Sequence, residues 1–196
     1  MITNTQFLLL FFLLSLPLWS VAQDTIPSSN EENKNAIIYI VRTSPMASAI
    51  NFRFFVDGNY VGKFHHNGYL KLYVSPGRHV ISAKAENLFV MEAQLEPGKV
   101  YAIDAAVQMG AFYAAVQLVP VKVERERHFT RVQKRLAKSS RKTFNNDELK
   151  KKTLEYTEII KKASHKYYKK KKKGKDIPVL SEAIDEELLL SYRTKS

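Results

Sequence analysis

Residues 51–74 read NFRFFVDGNYVGKFHHNGYLKLYV. Asp57-Gly58 is a hairpin-turn signal, because glycine takes a positive φ at no steric cost. Asn67-Gly68 repeats the signal ten residues later. Between the signals and after them the chain is rich in aromatic and β-branched residues. Leu70, Leu72 and Val74 alternate with Lys71 and Tyr73, the period of a half-buried strand. The stretch predicts three short strands joined by two tight turns.

The same grammar extends outward. Residues 36–42, AIIYIVR, form a nearly continuous apolar run too short for a typical helix. A loop containing Pro45 follows. Downstream, Pro76-Gly77 marks a turn before 79–85, where Ile81, Ala83 and Ala85 oppose Val80, Ser82 and Lys84. Residues 89–95 place Phe89, Met91, Ala93 and Leu95 on one side. Pro97-Gly98 turns the chain into 100–107, and Gly110 separates that strand from 113–119. About eight strands with a turn about every ten residues predict a mainly β domain over 36–121. The spacing fits an antiparallel sandwich of immunoglobulin or transthyretin type better than βαβ units.

The order of these turns carries a resemblance. Val56-Asp57-Gly58, Val61-Gly62, Asn67-Gly68-Tyr69, Ser75-Pro76-Gly77-Arg78-His79 and Pro97-Gly98-Lys99-Val100-Tyr101 follow one another in this order. The pattern resembles a family of small bacterial envelope and lipoprotein-like domains of unknown function. It is also similar to PEGA-type surface modules. The resemblance covers about residues 36–120 and implies a β-sandwich in the cell envelope. It brings no catalytic residues. The chain departs from lipoprotein members in having no cysteine to lipidate.

The absence of cysteine also excludes disulfides, thiol catalysis and cysteine-based zinc sites. Residues 1–23 carry no charged side chain, and 7–16 are apolar except Ser15. That length fits a secretory signal peptide and is short for a spanning helix. Cleavage fits after Ala22 or after Gln23, and the alternative is an uncleaved anchor formed by 7–22. The flank that follows is acidic, so the remainder is expected to be exported to the periplasm or to a membrane-associated envelope site. Residues 24–35, DTIPSSNEENKN, read as a disordered spacer.

The charge is unevenly placed. The whole chain carries +12, whereas 122–176 hold twenty-one bases against seven acids, net +14. Over 122–196 the period changes to that of a helical tail. Phe129, Val132 and Leu136 make one apolar stripe. Asn145 and Glu148 resemble a capping box ahead of a second helix over about 146–172. Its stripe is Leu149, Thr153, Tyr156, Ile160, Ala163 and Tyr167. Five lysines, at positions 169–173, should fray its end, and Gly174 stops it. Pro178 then opens a short acidic helix with Ile184, Leu188 and Tyr192 along one face.

Two readings of the tail follow. Its helices pack on the sandwich with lysines in water, or they form an arm for an anionic surface. In the second reading Lys166, Tyr167, Tyr168, Lys169, Lys170, Lys171, Lys172 and Lys173 make the contact. The partner is then lipid headgroups, lipopolysaccharide, a wall polymer or an envelope protein. Nucleic acid fits poorly with an export signal, and no small-molecule substrate is evident.

Chemistry is sparse. The sequence has no GxSxG, no phosphate-binding glycine loop, no HExxH and no cofactor motif. His65-His66 could contribute to a metal site in an envelope enzyme or accessory protein, but adjacent histidines lack ligand spacing. His79 reads as a structural strand residue. Asp104, opposite Tyr101, Ile103 and Ala105, reads as solvated. Asp57, Gly58, Asn67, Gly68, Pro76, Gly77, Pro97 and Gly98 read as structural turn residues. The expectation is a non-enzymatic envelope module; the tail could also dock on another protein as part of an assembly.

Overall fold

The computed structural model describes residues 34–109 and 114–192. The expected signal peptide, nearly all of the spacer, and Gly110 lie outside the described residues.

Among the described residues, ten strands form two five-stranded sheets. The strands are β1 Ala36–Val41, β2 Phe52–Val56, β3 Asn59–Phe64, β4 Gly68–Val74, β5 Gly77–Lys84, β6 Leu88–Leu95, β7 Val100–Met109, β8 Ala114–Pro120, β9 Ser140–Arg141 and β10 Val179–Leu180. The helices are α1 Glu126–Lys138, α2 Asn146–Glu155, α3 Thr157–Lys172 and α4 Glu186–Leu190. One sheet has the order β8-β7-β1-β4-β9 and the other β10-β6-β5-β2-β3. None of the helices among the described residues is long and apolar enough to cross a membrane.

The alternation read from the sequence is the alternation of the core. Ile38 and Ile40 of β1, Phe52 and Phe54 of β2, Ile81 and Ala83 of β5, and Met91 and Ala93 of β6 meet between the sheets. Tyr101 and Ile103 join them from β7. Each fully buried large apolar side chain contributes about 1.5–3 kcal/mol, so this sandwich-like core dominates the stability.

The strand directions differ from the expectation. The sheets are mixed: β1 runs parallel to β7, β4 parallel to β9, and β6 parallel to β10. Side-chain alternation is the same in either direction, so the sequence pattern could not tell them apart. The long excursion from β1 to β7 supplies the connection that parallel pairing requires.

The turns also divide. Asp57 (φ 49°) and Gly58 (φ 78°) both take the left-handed conformation and close the β2–β3 hairpin, where Val56 pairs with Asn59. That is the twist-matched hairpin turn. Asn67-Gly68 makes no second hairpin, since β3 and β4 belong to different sheets. Pro76-Gly77 and Pro97-Gly98 likewise carry the chain from one sheet to the other.

The tail is built into the fold. On the outer face of β1 and β7, Tyr39, Val41 and Ala102 pack with Phe129, Val132 and Leu136 of α1. Ile184 and Leu189 from the C-terminal segment complete that cluster. On the outer face of the other sheet, Tyr156 sets its ring edge-on to Phe55 (6.0 Å between centroids) and Tyr60 (5.3 Å). Leu180 of β10 enters the central core. Asn145 caps α2 by accepting from the Glu148 amide at 2.7 Å, as the capping signal predicts. The expected single helix is interrupted at Tyr156, whose φ of −94° and ψ of 17° separate α2 from α3. The lysine run stays helical through Lys172; cations there face the negative end of the helix dipole. The last helix is shorter than expected. It begins beyond Asp185, whose carboxylate accepts from Leu188 N at 2.7 Å, and it buries Leu189 rather than Leu188.

Candidate functional site

Helix α3 has two chemically distinct sides. Ala163 is buried, and Ile159, Ile160, Tyr167 and Lys170 are half-buried toward the sheet. The opposite side carries Lys161, His165, Tyr168 and Lys172, at i, i+4, i+7 and i+11, so they form one stripe. All four are exposed, as are Lys162, Lys169 and Lys173 beside them. Tyr168 is 68% exposed, an aromatic ring set among cations.

The eight residues expected to contact an anionic surface therefore separate. Lys166 donates to the Leu88 carbonyl at 2.5 Å, and burial lowers its pKa. Tyr167 donates to Glu92 at 2.8 Å, and Lys171 reaches the same carboxylate oxygen at 2.7 Å. Those hydrogen bonds, from Lys171 first and then Tyr167, hold the Glu92 carboxyl below its ordinary range. Lys170 donates to the Asp176 carbonyl at 2.7 Å. These four side chains bind the helix to its own protein. Tyr168, Lys169, Lys172 and Lys173 point outward. The side chains of Lys169, Lys172 and Lys173 make no hydrogen bond or ion pair among the described residues. Lys161, Lys162 and His165 extend the outward face beyond the predicted run. Helical spacing is the signal for them: with Tyr168 and Lys172, Lys161 and His165 fall at i, i+4, i+7 and i+11.

Beside the helix, a cleft of about 540 Å³ opens between Tyr167, Tyr168 and the β5–β6 hairpin, with Arg78, Glu92 and Gln94 on its wall. His79 sits at its edge. Its Nδ1 lies 2.6 Å from an Asp57 carboxylate oxygen and its Nε2 lies 2.8 Å from the Ser75 carbonyl. The other Asp57 oxygen accepts from Val80 N at 2.8 Å. His79 thereby fastens the hairpin turn to the crossing between β4 and β5, a structural role.

His65 is exposed, and His66 places Nδ1 3.0 Å from the Ser44 carbonyl. Burial, then the nearby Arg135 charge, push the His66 pKa down. Among the described residues, no group of three His, Cys, Asp or Glu side chains converges in a way that could hold a metal ion.

Asp104, expected in solvent, is 3% exposed because α1 covers the face on which it lies. It accepts from the Thr43 amide at 3.0 Å and the Thr43 hydroxyl at 2.6 Å, and lies 3.0 Å from His128 Nε2. The carboxylate stands between hydroxyl and imidazole. Nucleophile activation needs the imidazole in the middle, so this cluster lacks the catalytic order. Next to it Arg42, fully buried, donates to the Ile50 carbonyl at 2.9 Å, the Ala47 carbonyl at 2.7 Å and the Met46 carbonyl. Its guanidinium lies 4.3 Å from the centre of the Phe52 ring. Arg42 holds the 43–51 loop closed.

No protein-family model matches the chain, and no curated protein or solved structure matches it either.

Proposed function

We propose that this is a non-enzymatic, exported envelope protein whose α3 helix rests on an anionic surface. The observation that carries the reading is the outward stripe of Lys161, His165, Tyr168 and Lys172, flanked by Lys162, Lys169 and Lys173. Cations held on a rigid helix attract phosphate or carboxylate groups, and an exposed tyrosine among them suits an interface between water and headgroups. The sandwich, which we take to be of immunoglobulin or transthyretin type, acts as the support that presents this face. The leader at 1–23 and the resemblance to envelope domains favour the compartment.

Three probes test the reading: phosphatidylglycerol vesicles, lipopolysaccharide, and a glycerol-phosphate wall polymer. The purified chain should bind at least one of them at low salt and release it at high salt, because exposed contacts are screened. The variant Lys161→Gln, Lys169→Gln, Lys172→Gln, Lys173→Gln should lose that binding. Absence of binding to all three overturns the reading.

A further inference from the structure

The edge of β4 is only half closed. Strand β9 pairs with it at Gly68 and Tyr69, and Lys142 N donates to the Tyr69 carbonyl at 2.9 Å. The chain then leaves for the Asn145 cap of α2, while β4 continues to Val74. Backbone groups alternate along a strand, so those of Lys71 and Tyr73 point the same way as those of Tyr69, away from β1. Among the described residues no strand meets them there. The edge of the other sheet is treated differently: the Tyr60 amide on β3 donates to the Thr153 hydroxyl of α2 at 3.0 Å.

A groove of about 510 Å³ runs beside this open edge. Its apolar lining includes Val61, Leu72, Val74 and Phe144, half-buried residues that pack against the core. Arg141 and Lys142 stand at the end where β9 leaves. The acid in the lining, Asp57, is already engaged by His79 and the Val80 amide. Unpaired edges are ordinarily blunted by charge, proline or a bulge. From Leu70 to Val74 there is no proline, and the one lysine, Lys71, is committed to Glu186 at 2.9 Å.

We infer that this edge receives an extended, acidic segment of a partner protein, added as a strand in the track that β9 begins. The Lys71 and Tyr73 backbone groups supply the ladder, alternate apolar side chains enter the groove, and acidic residues meet Arg141 and Lys142. The inference is independent of the α3 surface.

The test uses the full chain and a synthetic seven-residue peptide of alternating Val and Thr with Glu at both ends. A second peptide carries Pro at its centre. Amide exchange read by NMR should slow at Lys71 and Tyr73 with the first peptide and not with the second. The Arg141→Glu, Lys142→Glu variant should bind the first peptide about tenfold more weakly. Unchanged exchange at millimolar peptide overturns the inference. So does protection that appears on concentrating the chain alone, which would make the occupant a second copy.

Discussion

The Tyr39 hydroxyl donates to the Glu186 carboxylate across 147 residues of sequence, joining the first strand to the last helix. Lys71 reaches the same carboxylate at 2.9 Å. Tyr39 is almost fully buried. Glu186→Ala leaves the phenol and the ammonium without their partner and should cost about 1–3 kcal/mol in urea unfolding. Tyr39→Phe removes only a donor and should cost about 0.5–1.5 kcal/mol. Equal losses for the two variants would contradict this assignment.

The same cluster sets a pH window. Burial opposes the Glu186 charge, but hydrogen bonds from Lys71 and Tyr39 outweigh it and lower the carboxyl's pKa. A depressed carboxyl stabilises the fold above its ordinary value of 4.5 and loses that contribution as pH falls through its lower, folded value. Burial and the Glu186 hydrogen bond push the Tyr39 phenol up to about 12 from 10.0. Its contribution is present below 10.0 and disappears as pH rises toward 12. Thermal melts across pH should show both losses, and Tyr39→Phe should shrink the alkaline one without removing it, because burial also pushes up the Tyr60 phenol.

Gly77 has φ of +124°, with open space where a Cβ would stand. The conformation alone penalises a side chain there. Gly77→Val should cost about 1–3 kcal/mol without any clash. An unchanged urea midpoint would mean that the crossing between β4 and β5 relaxes freely.

Asp104→Ala strips the Thr43 amide, the Thr43 hydroxyl and His128 of their common acceptor. A loss of about 1–3 kcal/mol or more is expected. Proteolysis within the 43–51 loop should accelerate alongside it. Loss of stability with unaltered cleavage would separate the carboxylate from the loop.

How much of this was legible depended on the range of each contact. The inward sets on β5 and β6, the Asp57-Gly58 hairpin, the Phe129, Val132 and Leu136 stripe and the Asn145 cap are local, and period or turn chemistry reveals them. Strand direction is not local: Ile38 alternates identically whether its neighbour Tyr101 runs parallel or antiparallel. Asp104 reads as solvated from its own strand because the helix that buries it comes more than twenty residues later. The lysine cluster was visible as a block, but its division into Lys166, Lys170 and Lys171, which bond back to the protein, and Lys169, Lys172 and Lys173, which do not, depends on the phase at which α3 meets the sheet. The edge of β4 was invisible for the same reason, since only the departure of the chain after Arg141 leaves it open.

Because Phe129, Val132, Leu136 and Leu180 complete the apolar clusters on and between the sheets, a chain ending at Val121 should not fold stably. Surface substitutions are the cleaner test. Cells making the full chain, or the variant Lys161→Gln, Lys169→Gln, Lys172→Gln, Lys173→Gln, would be fractionated and the envelope washed with rising salt. The wild-type protein should stay with the envelope at low salt and be released at high salt, whereas the variant should be released throughout. Equal, salt-resistant retention of both proteins would contradict it.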